Sequence, residues 1–391
     1  MKKFLKPQYA TLGVIGIFVL GLIIYSFTLN NNSKGFSGNY AFAKASVDKI
    51  TFDNLYILKN AKTSSTTAKQ EFEITILDGK HQGEKYKIRN SIEAVDVRRI
   101  VVSEGDEILV NYTVGNDGKM NSIHLYEIVR DKYIFFLICI FVVSIVFICG
   151  KKGIKSVLTL IFTGFMILKV LMPIIMSGAN AILATIVVTT VTAAVVILVI
   201  NGLSKKSIAA VLGTLSGIVI AAVIAVIFGN ACKVTGITGN EAETMAYVGK
   251  SMNLDYKYIL FSAIIIGALG AIMDVSVSIC SAMNELIEVK PNIDKKELIK
   301  AGMNIGKDIM ATMTNTLILA YAGGAFNLFL LFIAERVTYT EIINMETITA
   351  DIINAFAGSI GLLWTMPITI FIMANLRSLT INFGGHRDEK V

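Results

Sequence analysis

Long runs of apolar residues recur along this chain of 391 residues, and they restrict its fold more than any other feature. Eight of them contain about twenty residues, the length that a helix needs to cross a bilayer. Because hydrocarbon offers no partner to backbone polar groups, each run is predicted to be a membrane-spanning helix. A composition of 54% hydrophobic and 17% charged residues agrees with an integral membrane protein. The predicted spans are Tyr9–Leu29, Tyr133–Cys149, Ile154–Met176, Ala181–Ile200, Ile208–Phe228, Tyr258–Met283, Ile309–Ala334 and Ile352–Leu376.

The first predicted span follows the lysines Lys2, Lys3 and Lys6, an arrangement that also occurs in cleaved signal peptides. A weak small-residue cleavage site, Ala41-Phe42-Ala43, lies far beyond the apolar run. The run is also longer than the hydrophobic region of a signal peptide, which has roughly 7–15 residues. We therefore predict that residues 1–29 form an uncleaved membrane anchor.

Residues 30–132, between the first and second predicted spans, contain runs in which apolar and polar side chains alternate. Alternation with a period of two is typical of strands that bury one face. Turn sequences at Asp78-Gly79 and Gly115–Gly118 separate the runs. We predict a small all-β domain, an antiparallel barrel or sandwich that is OB-like or SH3-like. The predicted strands are Phe72–Leu77, Glu84–Ile88, Glu107–Val114 and Asn121–Val129.

Basic residues are distributed unequally among the short segments that flank the predicted spans. If the N-terminus is cytoplasmic, sixteen Lys and Arg residues lie in the cytoplasmic segments and four in the outer ones. Cytoplasmic segments carry such an excess, so this orientation is predicted. The β-domain then lies outside the cytoplasm and both termini lie inside. Residues 133–391 form a membrane domain of seven helices with a short cytoplasmic tail.

The charge and the cysteine and histidine residues exclude several classes of function. The net charge of +7 arises from these flanking clusters, so it does not indicate nucleic-acid binding. Four cysteines and three histidines show neither a paired spacing nor a metal-ligand spacing, and no phosphate-binding glycine loop occurs. We expect no nucleic acid, no metal, no cofactor and no catalytic residue, and hence no enzyme.

The predicted span Tyr258–Met283 carries an acid, Asp274, well inside its apolar sequence. A carboxylate in hydrocarbon costs at least about 2.5 kcal/mol, so such residues face a protein interior or a water-filled cavity. Small and polar residues share the helical face of the acid, at spacings of three or four. The glycines of this face are expected to permit the close approach of a neighbouring helix. The face consists of Gly267, Gly270, Asp274, Ser278, Ser281 and Glu285.

Polar residues also occur near the beginning of the next predicted span. Asp308, Thr312 and Asn315 share one face of that helix. At 1.5 Å per residue, Asp274 and Asn315 lie about 13 Å and roughly 9 Å from the same membrane edge. The two spans are consecutive and antiparallel, so these depths permit contact, and Asp308 is expected at the cytoplasmic lip of a cavity.

Three interpretations of Asp274 remain open from the sequence. It is a structural acid, hydrogen-bonded to Ser or Thr hydroxyls, that fixes the register of two helices. Alternatively it is a carboxylate that couples a proton or cation to transport, because intramembrane acids are functional by default. The third interpretation is an intramembrane enzyme, which requires a partner acid, base, nucleophile or metal that the sequence does not provide.

Two segments within and after the acidic span resemble a known family. They are GALGAIMDVSVSICSAMNEL (Gly267–Leu286) and ELIKAGMNIGKDIMATMTNTLILAYAGG (Glu297–Gly324). Both resemble the YibE/F-like family of bacterial membrane proteins, and the likeness extends over the whole membrane region. The resemblance implies a polytopic protein with an extracytoplasmic domain near its N-terminus. It implies no particular biochemical activity.

These features together predict a bacterial multi-pass plasma-membrane protein that performs secondary transport or export of a small solute or ion. Asp274 is predicted to be the coupling or cation-binding acid, with Asn315, Thr312 and Ser278 as neutral ligands. The alternative is a non-transporting membrane scaffold or sensor, in which the β-domain recruits an envelope partner. The expected partners are the lipid bilayer, the solute or ion, and a second copy of the chain or an envelope protein.

Overall fold

The computed structural model describes residues 41–59, 66–94, 99–114, 120–239, 243–244, 247 and 254–376. The predicted first span, the linker that follows it, the predicted turn at Gly115–Gly118 and the C-terminal tail lie outside the described residues. The described residues form two compact units, which divide between Ile145 and Val146.

The first unit contains one antiparallel sheet. Its strands are β1 (Ala41–Asp53), β2 (Thr67–Ile76), β3 (Lys85–Glu93), β4 (Glu107–Val114) and β5 (Met120–Ile128), with the short helix α1 (Tyr56–Lys59) after β1. The order across the sheet is β3-β2-β1-β4-β5. Because β3 and β5, at the two ends of this order, contact each other, the sheet curls into a barrel-like form. The predicted small antiparallel β-domain is confirmed.

The central strand β1 was not predicted from the sequence. Its buried side chains are Ala43, Ala45 and Val47, which alternate with exposed or half-buried residues. Alanine is depleted in strands, so the run lacks the β-branched and aromatic residues that indicate a strand. Ala41-Phe42-Ala43 pairs with residues 110–112 of β4. This weak cleavage site therefore lies within the sheet.

A buried amide fixes the segment between β3 and β4 to the barrel. Gln70 is 1% exposed, and its side chain bonds to both backbone groups of Val102. Its Nε2 donates to the Val102 carbonyl at 2.8 Å, and the Val102 N–H donates to its Oε1 at 3.2 Å. The Nε2 also donates to Asp53 Oδ2 at 3.3 Å, so the buried amide is hydrogen-bonded through both its nitrogen and its oxygen. Around it the interior is apolar and includes Phe72, Ile74, Ile76, Ile88, Ile108 and Val110.

The remainder of the described chain is mostly helical. The main helices begin at side chains that accept a backbone hydrogen bond from the first turn, at Asn180, Ser204, Asp255 and Asp294. The helices are α2 (Asp131–Phe165), a π-helical segment (Met166–Leu171), α3 (Met172–Met176), α4 (Ala181–Asn201), α5 (Lys205–Ala231), α6 (Tyr256–Val289), α7 (Lys295–Gly324), α8 (Phe326–Glu335), α9 (Tyr339–Asn344) and α10 (Glu346–Leu376).

Five helical stretches among the described residues are long and apolar enough to cross a membrane, or six if α7 and α8 form one span. The stretch Asp131–Met176 covers two predicted spans, and its backbone is not helical at Gly150, where φ is 55° and ψ is −130°. The predicted span Ile309–Ala334 is also interrupted, because α7 and α8 are bent by 58°. The Gly323-Gly324 pair at the bend explains the break, since glycine weakens a helix.

The helices α5, α6 and α10 pack together at the centre of the second unit. Gly213 and Gly217 of α5 lie directly against the side chains of Thr369 and Thr365 of α10. A Cβ atom on Gly217 would also lie 2.8 Å from Cγ2 of Ile272 on α6. Glycine at these positions lets the helix backbones approach closely, as glycine does between membrane helices.

Candidate functional site

Helix α6 separates an apolar buried face from the predicted polar face. Ile264, Ile265 and Ile272 are fully buried against neighbouring helices. Of the six residues predicted for this face, Ser281 is half-buried and the others are exposed. Gly267, Gly270, Asp274 and Ser278 are called the α6 polar face from here on. These four residues therefore lie on one exposed side of α6, and only Gly267 has a close neighbour among the described residues.

The Asp274 carboxylate makes no hydrogen bond or ion pair with any described residue. Several buried hydroxyls in the same unit differ from this carboxylate, because they donate to a carbonyl of their own helix. Ser276 Oγ donates to the Ile272 carbonyl at 3.0 Å, and Thr365 Oγ1 donates to the Gly361 carbonyl at 2.7 Å. An ionised carboxylate has no proton to donate, so it cannot satisfy itself in this way. Its partner must come from water, an ion, or a group outside the described chain.

The predicted partner residues on α7 are exposed as well. Asp308, Thr312 and Asn315 occupy the face opposite to Gly302, Gly306 and Met310, which are buried. Thr312 Oγ1 donates to the Ile309 carbonyl at 3.0 Å. Within the described part of the chain, no hydrogen bond joins Asp274 to any of these α7 residues or to Ser278. The predicted residues thus share two exposed faces on consecutive helices without direct bonds between them.

The two glycines of the α6 polar face have different surroundings. A Cβ atom on Gly267 would lie 2.9 Å from the hydroxyl oxygen of Tyr321 on α7. At Gly270 no heavy atom of a described residue lies within 4 Å of that position. Gly267 therefore has a close neighbour on α7, whereas the close helix approach expected at Gly270 stays a prediction.

Two further residues near Gly267 were not predicted as site residues. The hydroxyl of Tyr321 and the side-chain oxygen Oδ1 of Asn354, on α10, are buried and have no hydrogen-bond partner. Both atoms lie within 4.0 Å of the Cβ position of Gly267, so they converge on one point between α6, α7 and α10. The sequence signal was the Gly-Gly pair shortly after Tyr321, because interrupted spans mark binding sites in transporters.

A cavity of about 310 Å³ adjoins the side chain of Tyr321. Asp351 and Tyr339 contribute its other polar side chains, and the remaining lining is apolar. None of the described lining residues is a Lys, Arg or His. In the described ranges no group of three or more His, Cys, Asp or Glu side chains is placed to hold a metal ion.

Comparison with known protein families gives two matches. A family model described as YibE/F-like protein matches residues 137–378, and one described as YibE/F family N-terminal domain matches residues 44–127. The first match covers the helical unit and the second covers the β-barrel. A search of curated proteins and a search of solved structures give no match.

Proposed function

The chain belongs to the YibE/F-like family, and we propose that it is a secondary transporter or exporter of a small solute or ion. The family resemblance supplies no activity, so the proposal depends on the α6 polar face. The observation that carries it is the Asp274 carboxylate, which is exposed on an apolar helix and has no partner among the described residues.

A bare carboxylate at this depth has few ways to lower its free energy. It takes up a proton, binds a cation or contacts water, because hydrocarbon gives it no solvation. Each of these responds to the concentration of protons or cations on the two sides of the membrane. A side chain of this kind is suited to couple a gradient to the movement of a solute.

The neutral side chains that we assign to the same site as this acid have the chemistry of ligands. Ser278, Thr312 and Asn315 offer hydroxyl and amide oxygens, which suit a cation or a polar solute. Asp308 adds a second acid near the middle of α7, just before the predicted span Ile309–Ala334, and we assign it to the cytoplasmic lip of the path. Asp274 is the coupling or cation-binding residue in this mechanism.

We assign eight spans, with both termini in the cytoplasm of a bacterial cell and the β-domain outside the plasma membrane. Support comes from the break at Gly150, which divides Asp131–Met176 at the basic pair Lys151-Lys152. Division of that stretch and pairing of α7 with α8 gives seven spans after residue 130, and Tyr9–Leu29 adds the first. The distribution of basic residues favours this orientation.

The barrel order supports an OB-like rather than an SH3-like domain. In a five-stranded OB barrel the first strand lies between the second and fourth, and the third strand meets the fifth, as in this sheet. The fold does not by itself identify a ligand.

The second candidate function is a membrane scaffold or sensor whose β-domain recruits an envelope protein. It is favoured by an exposed aromatic pair, Phe42 and Tyr126, whose ring centroids are 5.0 Å apart. Deletion of residues 33–131 with the later spans retained tests this candidate. Survival of the cellular phenotype after that deletion would exclude recruitment through the barrel.

The transport proposal is tested with the full-length protein in proteoliposomes that contain a pH-sensitive dye. Divalent metal chlorides and organic cations are added one at a time, and the resulting proton movement is recorded. We expect at least one of them to drive proton flux, and Asp274→Asn to reduce that flux at least about tenfold. The matched control is Glu285→Gln, which removes an acid from the same helical side near the end of α6. Unchanged flux in Asp274→Asn would exclude the acid from the mechanism.

A further inference from the structure

Two oxygen-bearing side chains converge near the bend between α7 and α8, and a third lines the adjoining cavity. The Tyr321 hydroxyl and Asn354 Oδ1 converge at Gly267, and Asp351 lines the same cavity as Tyr321. Asp351 precedes Asn354 by three residues, so the two lie on one side of α10. This cluster includes none of the residues assigned to transport above.

These groups have no partner within the described chain. The hydroxyl and the amide oxygen are buried without a hydrogen bond, and the Asp351 carboxylate makes no hydrogen bond or ion pair there. Buried polar atoms are normally paired, because each unpaired one costs about 1–3 kcal/mol. Two such atoms that converge on one point indicate a bound group that is not among the described residues.

The charge of the site indicates which chemical class the bound group belongs to. One carboxylate faces an otherwise neutral cavity that has no basic side chain in its described lining. A single positive charge balances one carboxylate, whereas the amide and hydroxyl oxygens are ligands for hard cations. The cavity also adjoins the C-terminal end of α7, where backbone carbonyls carry partial negative charge.

We propose that Tyr321, Asp351 and Asn354 form a binding site for a monovalent cation, with Na⁺ as its probe. The hydroxyl and the amide oxygen bind the ion directly, the carboxylate balances its charge, and the absent Cβ of Gly267 leaves room for it. The proposal goes beyond transport and is independent of it, because binding is measured at equilibrium without a gradient. Loss of function in Asp274→Asn proteoliposomes would leave this site unaffected, and the reverse also holds.

The test uses the purified full-length protein in detergent. Binding of radioactive sodium and the thermal unfolding midpoint are measured in sodium chloride and in choline chloride of equal ionic strength. We expect saturable sodium binding and a higher midpoint in sodium. Equal midpoints in the two salts, with no saturable sodium binding, would mean that the site holds water only and would overturn the proposal.

Two matched pairs of variants locate the ion. Tyr321→Phe removes the buried hydroxyl and should weaken sodium binding at least about tenfold, whereas Tyr339→Phe removes a hydroxyl from the same cavity and should leave it unchanged. Gly267→Ala places a methyl group 2.9 Å from the Tyr321 hydroxyl and should weaken binding, whereas Gly270→Ala meets nothing and should not.

The charge is tested separately with Asp351→Asn, which should abolish saturable binding. If that variant does not fold, Tyr321→Phe decides, because it removes only one oxygen atom. Sodium binding by Tyr321→Phe with wild-type affinity would contradict the assignment of the site.

Discussion

Two regions of the helical unit combine glycines with polar side chains at helical spacing. They are the contact between α5 and α10, and the α6 polar face, and their surroundings are opposite. At the α5–α10 contact, threonine side chains of α10 occupy the space beside Gly213 and Gly217. On the α6 polar face, Gly270 meets no atom of a described residue. Small and polar residues thus identify a helix face, but only the neighbouring helices decide whether that face is packed or open.

Two individual side chains of these regions also differ. In the packed region Thr365 bonds to a carbonyl of its own helix, so its burial costs little, although the buried Thr369 Oγ1 there has no partner among the described residues. On the α6 polar face Asp274 has no bond of this kind. The packed region therefore accounts for stability, and the open face is where we place function.

The largest expected difference between the two regions is in how the same substitution, glycine to alanine, changes the unfolding free energy. Gly217→Ala brings a methyl group against Thr365 and Ile272 and should lower the unfolding free energy by about 1–3 kcal/mol. Gly270→Ala meets no atom and should raise it by roughly 0.5–1 kcal/mol, because alanine favours a helix. Thermal unfolding of the purified variants measures both. Equal destabilisation by the two substitutions would mean that a neighbour packs on the α6 polar face.

The sequence predicted the helical class, because apolar length and periodicity are local properties, and the family, because its motifs are contiguous. Of the six residues predicted for the polar face of α6, Ser281 is half-buried. The sequence did not predict β1, whose small buried residues Ala43 and Ala45 resemble no strong strand pattern. The Tyr321–Asn354 cluster was also missed, since it depends on the crossing of α6, α7 and α10. Convergence of residues distant in sequence is a tertiary property, and the residue pattern of a single helix does not predict it.

Glu71 of the β-barrel, unlike Asp274, is a carboxylate with charged partners. Glu71 Oε1 accepts from Arg89 Nε at 2.7 Å, and Lys87 Nζ lies 3.3 Å from Oε2. These bonds hold the pKa of Glu71 below its usual value of 4.5, with Arg89 the larger cause. Because the folded pKa is depressed, the stabilisation is complete above the unfolded pKa and is lost as the pH falls through the folded one.

We expect Glu71→Gln to lower the hydrogen-exchange protection of β2 and β3 at neutral pH, and this difference from wild type to vanish in acid. Mass spectrometry of peptides from residues 67–93 measures the protection. Glu73→Gln is the control, since Glu73 lies on the same strand and has no ion pair among the described residues. A pH-independent difference at Glu71 would contradict the assigned cause.

The smallest effect is expected for Asp274→Asn on stability. Because the carboxylate has no partner in the described chain, its removal should change the unfolding free energy by less than about 0.5 kcal/mol. The thermal midpoint of the purified variant measures this. A loss of several kcal/mol would support the structural-acid interpretation and would remove the contrast with Thr365.

The central claim is that water reaches the α6 polar face within the membrane, and thiol labelling tests it most directly. In a variant without native cysteines, Ser278→Cys and Ile279→Cys are exposed in proteoliposomes to a charged, membrane-impermeant thiol reagent. Ser278 is exposed and Ile279 is 1% exposed, so labelling is predicted at position 278 and not at 279. Absence of labelling at position 278 would show that lipid or another helix seals this face, and it would contradict the account.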